Sequence, residues 1–275
     1  MSLHSGETVR PRHGANREST PNSNDLKARA VRLRELHHGG MLVLPNAWDA
    51  TSAAVVVEAG FPVVATASNA IAAMLGYPDG EGAPWQEMFA AAGRVARAVD
   101  VPVTVDAEGG YGLRARELVD RLLDIGAVGC NLEDGDHRAG GLLDAGAHAQ
   151  WLAEVRSAAD DAGVPIVVNA RVDVFLPTAG VPDEERVAET IRRGRLYREA
   201  GADCVYPIGV GDRGVLGELV EGLPGPVNGN SGADLDLATL RSLGVARVSY
   251  GPRFYHAAMA DLRVAVGALL SEDAA

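Results

Sequence analysis

Eight times along this chain a short apolar, β-branched run is followed by a segment whose apolar residues recur at helical spacing. This alternation restricts the fold more than any other feature. The runs are "MLVLPN" (41–46), "PVVATAS" (62–68), "VPVTVDAE" (101–108), "VGCNLED" (128–134), "PIVVNARVD" (165–173), "CVYPIG" (204–209), "PVNGN" (226–230) and "ARVSYG" (246–251). Several are preceded by a helix-ending signal of one kind, namely "EAGFP", "DIGAVG", "EAGADC" and "SLGVAR", in which glycine takes the left-handed cap before the chain turns into a strand. Runs apolar on both faces that alternate with helices imply parallel strands joined by right-handed crossovers. Eight such strands predict an α/β fold of the closed (β/α)8, TIM-type barrel kind. An open doubly wound sheet is the rival, but "PNAWDA" follows the first run where a GxGxxG would be expected.

A chain of 275 residues fits one such barrel, which commonly reaches about 250 residues. The polar opening "MSLHSGETVRPRHGANRESTPNSN" has no apolar stretch of the secretory kind, so residues 1–24 are read as a flexible N-terminal arm. Residues 25–275 are then a single barrel domain with C-terminal helices. Every long apolar stretch is broken by charge or glycine, which predicts no membrane partner and a cytoplasmic protein. The net charge of -12 excludes a basic footprint for nucleic acid. Cys130 and Cys204 lie inside apolar runs and read as core residues, and no histidine spacing resembles a zinc motif. Lys27, in the first helical segment, is the only lysine, so Schiff-base chemistry inside the fold is improbable: guanidinium is not nucleophilic.

In a barrel, the site gathers at the C-terminal ends of the strands. Here those ends are polar: Asn46 and Asp49, Ser68 and Asn69, Asp106 and Glu108, Glu133 and Asp134, Arg171 and Asp173, then Asn228 and Asn230. A lone Asn or Asp at such an end is more often a helix cap than a ligand, and Asp49, Asp134, Asp173 and Asn230 are read that way. Asp106 and Glu108 are two apart and share a strand face, and a neighbouring strand brings Glu133 beside them. Three converging carboxylates repel one another, and a hard divalent cation bound by oxygen, Mg²⁺ or alternatively Mn²⁺, is the usual relief. The predicted metal set is therefore Asp106, Glu108 and Glu133. Arg171 arrives as the only cation among these strand ends, a fork suited to a carboxylate or a phosphate.

At this point the motifs "LPNAWDATSAAVVVEAGF", "ATASNAIAAMLGYPDGE", "VDAEGGYG", "NLEDGD" and "NARVDVF" resemble, in order and spacing, the isocitrate lyase and phosphoenolpyruvate mutase superfamily over about residues 40–255. The resemblance implies a 2-oxo acid or its enol chelated by Mg²⁺. By the same resemblance Asp106 is the metal ligand, with Glu108 and Glu133 reaching the metal through waters. Arg171 and Ser68 hold the substrate carboxylate, Asp79 stands near the reacting atom, and Asn228 lies at the mouth. The site set is thus Asp79, Arg171 and Glu133 for catalysis, and Ser68, Asn69, Trp48, Arg171 and Asn228 for the substrate. Superfamily members also exchange their last helix, which implies a homo-oligomer, a dimer or tetramer.

Two departures bear on the activity. Lyases of this superfamily carry a Lys-Lys-Cys-Gly-His loop after the fourth strand, whose cysteine protonates the leaving enolate. Here that loop is "GDHRAGGLLDAG", with Gly140 and Gly141 as lid hinges and His137 or Arg138 as an acid or clamp, against an ordinary surface loop. "YPIG" stands where the mutases place a phosphoryl-holding histidine. The expected function is a Mg²⁺-dependent lyase or hydrolase that cleaves a C–C bond of a small 2-oxo acid. The alternatives are a 2-oxo-acid binding protein without turnover, and a phosphonopyruvate or phosphoenolpyruvate mutase or hydrolase.

Overall fold

The computed structural model describes residues 22–272. Residues 1–21, the bulk of the expected arm, lie outside the described residues. Helix α1 (Ser23–Leu36) begins within the span read as the arm, and Asn22 caps it by accepting from Asp25 N.

All eight runs are strands. They are β1 (Leu42–Leu44, resumed after Pro45 as Asn46–Ala47), β2 (Val64–Thr66), β3 (Val103–Asp106), β4 (Gly129–Glu133), β5 (Val167–Val172), β6 (Cys204–Pro207), β7 (Asn228–Asn230) and β8 (Arg247–Ser249). Each pairs in parallel with its sequence neighbour from β1 to β6 and from β7 to β8. A bridge between Val205 and Val227 joins β6 to β7, and the Leu42–Leu44 part of β1 pairs with β8. The ring is closed, as a TIM-type barrel requires, and Pro45 marks where β1 passes from one ladder to the other.

The helices between strands are α2 (Ala50–Glu58), α3 (Ser68–Leu75), α4 (Trp85–Arg97), α5 (Ala115–Asp124), α6 (Ala145–Asp161), α7 (Arg186–Glu199), α8 (Arg213–Gly222) and α9 (Leu237–Ser242), followed by α10 (Arg253–Glu272). Four of them start on an aspartate that caps the first turn: Asp49, Asp144, Asp212 and Asp236. The reading of Asp49 as a cap therefore holds, and "GVGDRG" is a β-to-α turn ended by Asp212. The expected glycine stops are in place, with φ of 87° at Gly126 and 98° at Gly201.

Packing follows the strand pattern: β2, β4 and β6 are buried at every residue. Helix α1 closes the N-terminal end of the barrel, where Arg34 donates to Asp203 ahead of β6 and to the carbonyl of Ile166 ahead of β5. Cys130 and Cys204 are fully buried, and burial pushes both thiols up to about 12, so neither is a ready nucleophile. No helix among the described residues is long and apolar enough to cross a membrane.

Candidate active site

The C-terminal mouth of the barrel brings Ser68, Asp106, Glu108, Glu133 and Arg171 together. Glu133 stands in register with Arg171, and Arg171 with Tyr206, so β4, β5 and β6 present these three side chains at one level. Asp106 ends β3, where its amide donates to Thr66 Oγ1 at 2.9 Å. Its Oδ2 accepts from the backbone N and the Oγ of Ser68, at 3.1 and 2.9 Å, at the start of α3. Its Oδ1 is buried and has no partner.

Glu108 and Glu133 are 2% and 1% exposed, a severe cost for two carboxylates unless something offsets it. Burial first, then the charges of Asp106, Glu133 and Asp79, push Glu108 up to about 8. Burial likewise raises Glu133, but Arg171 and His137 oppose that rise. His137 Nε2 lies 2.5 Å from Glu133 Oε1, and this hydrogen bond lifts the imidazole to about 9. Arg171 Nη1 forms an ion pair with Glu133 Oε2. The rest of the Arg171 fork is taken by Asp173, with Nε and Nη2 at 2.7 and 2.8 Å from its two oxygens. Burial would lower the Arg171 pKa, but Glu133 and Asp173 together hold it well above its ordinary value.

These contacts involve all three residues of the expected metal set, Asp106, Glu108 and Glu133. Among the described residues no group of three His, Cys, Asp or Glu side chains is disposed to hold a metal ion. Glu133 Oε1 is bonded to His137, its buried Oε2 has an ion pair with Arg171 but no hydrogen bond, and Glu108 Oε2 accepts from Glu81 N at 2.5 Å. What fits a hard cation is one oxygen, Asp106 Oδ1, with Glu108 and Glu133 near enough to act through waters.

Asn228, Trp48, Asp134 and Asp173 stand elsewhere than expected. Asn228 is fully buried a level below the mouth, where its Oδ1 accepts from Asn169 Nδ2 at 3.2 Å and Ser249 Oγ at 3.1 Å. The mouth residue of β7 is instead Asn230, which accepts from Tyr206 OH at 2.7 Å. Trp48 stacks edge-on against Tyr255 of α10 at 5.5 Å, in an apolar groove between α2 and α10, and does not join the bonded set around Asp106. Asp134 and Asp173 are buried bonding residues, not caps. Asp134 Oδ1 accepts from Asp173 N at 2.8 Å, and its Oδ2 accepts from Tyr197 OH at 2.6 Å and Arg193 Nη1 at 3.0 Å. Asn69 and Asp79 pair with each other at 3.2 Å on the exposed rim.

Two flanking loops complete the mouth. The segment after β4 is a tight turn in which Gly135 bridges Leu142 and Asp136 Oδ1 accepts from the amides of Arg138 and Ala139. Its base is pinned, since Leu143 N donates to Asp134 O and Arg193 Nη1 donates to Leu143 O. The "GGYG" loop runs under Trp151 of α6 so closely that a Cβ at Gly110 would lie 2.6 Å from the indole, and only glycine fits.

Comparison with known proteins agrees with this architecture. The chain matches the phosphoenolpyruvate phosphomutase family profile over residues 33–270. A solved structure from Burkholderia cenocepacia J2315, provisionally named a phosphonomutase, is 40% identical with a TM-score of 0.82, covering 88% of this chain and 99% of that one. An oxaloacetate decarboxylase of Bradyrhizobium diazoefficiens is 30% identical over 70% of this chain and 67% of its own length. The chloroplastic carboxyvinyl-carboxyphosphonate phosphorylmutase of Arabidopsis thaliana is 34% identical over 63% of this chain and 52% of its own. With the barrel, the mouth and the profile in agreement, the chain belongs to the phosphoenolpyruvate phosphomutase family, within the isocitrate lyase and phosphoenolpyruvate mutase superfamily.

Proposed function

We propose that this protein is a Mg²⁺-dependent enzyme that cleaves a C–C bond of a small 2-oxo acid, at the bond next to the oxo-acid unit. The observation that carries the reading is Asp106: a carboxylate at the barrel mouth with one oxygen on Ser68 and the other buried and free. Asp106 would hold the cation directly, while Glu108 and Glu133 hold its waters. When bound, the cation would supply Lewis-acid polarisation of the substrate carbonyl, the role that an imine-forming lysine fills elsewhere.

The chain's own residues do the rest. Arg171 gives two of its five N–H donors to Asp173 and pairs in charge with Glu133, and the donors left over can take the substrate carboxylate. Because Asp173 fixes the guanidinium plane, those donors point in a set direction and little order is lost on binding. His137 holds a proton between its Nε2 and Glu133 Oε1 at the mouth, on the loop where the lyases carry their cysteine. For a β-oxo acid such as oxaloacetate, the C3–C4 bond breaks, its electron pair passes into the carbonyl, CO₂ leaves, and a proton returns to C3. The similarity to an oxaloacetate decarboxylase supports this choice of bond.

The relatives named as phosphomutases support a second reading, turnover of a phosphonate such as phosphonopyruvate. It ranks lower because β6 ends in Tyr206 and Pro207, with Tyr206 OH already donating to Asn230, and offers no cation to a phosphoryl group. A panel of 2-oxo acids with Mg²⁺ separates the readings. Oxaloacetate should give pyruvate and CO₂; phosphate release from phosphonopyruvate alone would favour the second; stabilisation by ligand with no product would leave a binding protein.

The oligomer is part of the proposal. From residue 260 to 270 every residue of α10 is exposed, including Leu262, Val264, Val266, Leu269 and Leu270. The groove that holds Trp48, about 430 Å³ and lined also by Val55, Phe61, Tyr250 and Phe254, lies beside its first turn. A second copy of the chain is the occupant that would cover both.

A further inference from the structure

Three residues other than glycine adopt positive φ among the described residues, and all three meet at the barrel mouth: Glu81 (58°), Glu108 (49°) and Tyr111 (56°). Left-handed backbone at such residues is unfavourable and persists where surrounding contacts over-determine it. Here the contacts are reciprocal. Glu81 N donates to Glu108 Oε2 at 2.5 Å, and Glu81 Oε1 accepts from Tyr111 N at 2.6 Å. Loop 77–83 thus reaches into loop 107–112 with a side chain and is held from it by another. The fit is close, since a Cβ at Gly109 would lie 3.1 Å from Glu81 Oε1 and one at Gly80 would lie 3.2 Å from His137 Nδ1. The backbone of Glu108 is held as well, its carbonyl accepting from Glu133 N at 2.9 Å.

We propose that Glu81 is a positioning residue: by clasping the two loops it sets the direction of the Glu108 carboxyl and places Asp79, two residues upstream, over the mouth. The proposal rests on the reading of this mouth as the reacting site. It assigns Glu81 no direct part in the chemistry. One acceptor oxygen and one backbone amide suffice for the clasp, and this distinguishes it from a role that needs charge. The sequence gives no hint of it, because the contact depends on two left-handed turns that face each other.

Two variants of the full-length protein test it. Glu81→Gly removes the acceptor while suiting the backbone, since glycine takes a φ of 58° without strain. Glu81→Gln keeps an acceptor oxygen and removes the charge. On the 2-oxo acid that the wild type converts, Glu81→Gln should stay within about twofold in kcat, and Glu81→Gly should lose about tenfold or more with KM little changed. Amide exchange across residues 107–112 should quicken about tenfold in Glu81→Gly and remain protected in Glu81→Gln, with cooperative unfolding kept in both. Equal losses in the two variants, full activity in Glu81→Gly, or unchanged exchange there would each overturn the proposal. If the wild type converts no member of the panel, the functional reading falls, and the exchange measurement still decides the clasp.

Discussion

Asp106 gives one carboxylate oxygen to both donors of Ser68 and keeps the other buried and unbonded. A buried oxygen without a donor is unfavourable unless a ligand completes it. Mg²⁺ should therefore raise the stability of the wild type, by about 2.7 kcal/mol at a hundredfold excess over its Kd. Asp106→Asn removes the charge that draws the cation, so it should abolish this gain without weakening the metal-free protein. Thermal unfolding with and without Mg²⁺ checks both arms, and an unchanged Mg²⁺ effect in the variant would move the metal away from Asp106.

The two-bond grip of Asp173 on Arg171 makes the guanidinium shape matter as well as its charge. Arg171→Lys keeps the charge but cannot span both oxygens, and should lower kcat/KM about 10²-fold through misplacement of the substrate carboxylate. Arg171→Met leaves Glu133 and Asp173 buried without their cation, and should cost about 3–5 kcal/mol in denaturant unfolding. Asp173→Asn added to it should restore part of that loss. Measured losses that simply add would show that the pair acts as independent residues.

Glu108 makes stability depend on pH in a direction opposite to that of a salt-bridged carboxylate. Its folded pKa is raised to about 8, chiefly by burial, above the ordinary value of 4.5. Between those values the folded state keeps a proton that the unfolded chain has released, so stability falls as pH rises through this window. Glu108→Gln should consequently be more stable than the wild type at pH 8.5 and indistinguishable from it at pH 4.5. Gln retains an acceptor for Glu81 N, so the difference reports the charge. Urea unfolding at the two pH values measures it, and saturating Mg²⁺ should narrow the gap by favouring the ionised form.

The eight strands are legible because short runs, most of them apolar and β-branched, recur between helical segments and end at a glycine or a polar turn, signals that depend on nearby residues alone. The gathering of Asp106, Glu133 and Arg171 was legible too, since strand alternation and barrel closure place such ends together. Asp134 and Asp173 were misread as caps. Asp134 is held by Arg193, 59 residues away on α7, a partnership that no local pattern encodes, and Asp173 is held by Arg171, two residues before it, whose fork turns to it. Asn228 opens the short strand β7 and Asn230 ends it, and only the register with β8 shows which of the two tops the barrel. That Glu133 would also pair with His137 and Arg171 is not legible, because His137 lies on the loop after β4 and its direction depends on the turn there.

Helix α10 offers a last test, because its residues 260–270 are all exposed. Leu262, Val266 and Leu269 fall at i, i+4 and i+7, one stripe of the helix, and are 53%, 53% and 62% exposed. An apolar stripe in water is unfavourable by about 25 cal/mol per Å², and burial against a second copy removes that cost for both partners. The wild type should sediment as a dimer or tetramer at micromolar concentration. Leu262→Glu with Leu269→Glu should bring it to a monomer, since each charge would have to be buried in the contact. Because neither side chain packs on the barrel, the far-ultraviolet circular dichroism should be retained, which separates loss of assembly from loss of fold. A wild type that already sediments as a monomer would remove the second copy from the account of this helix.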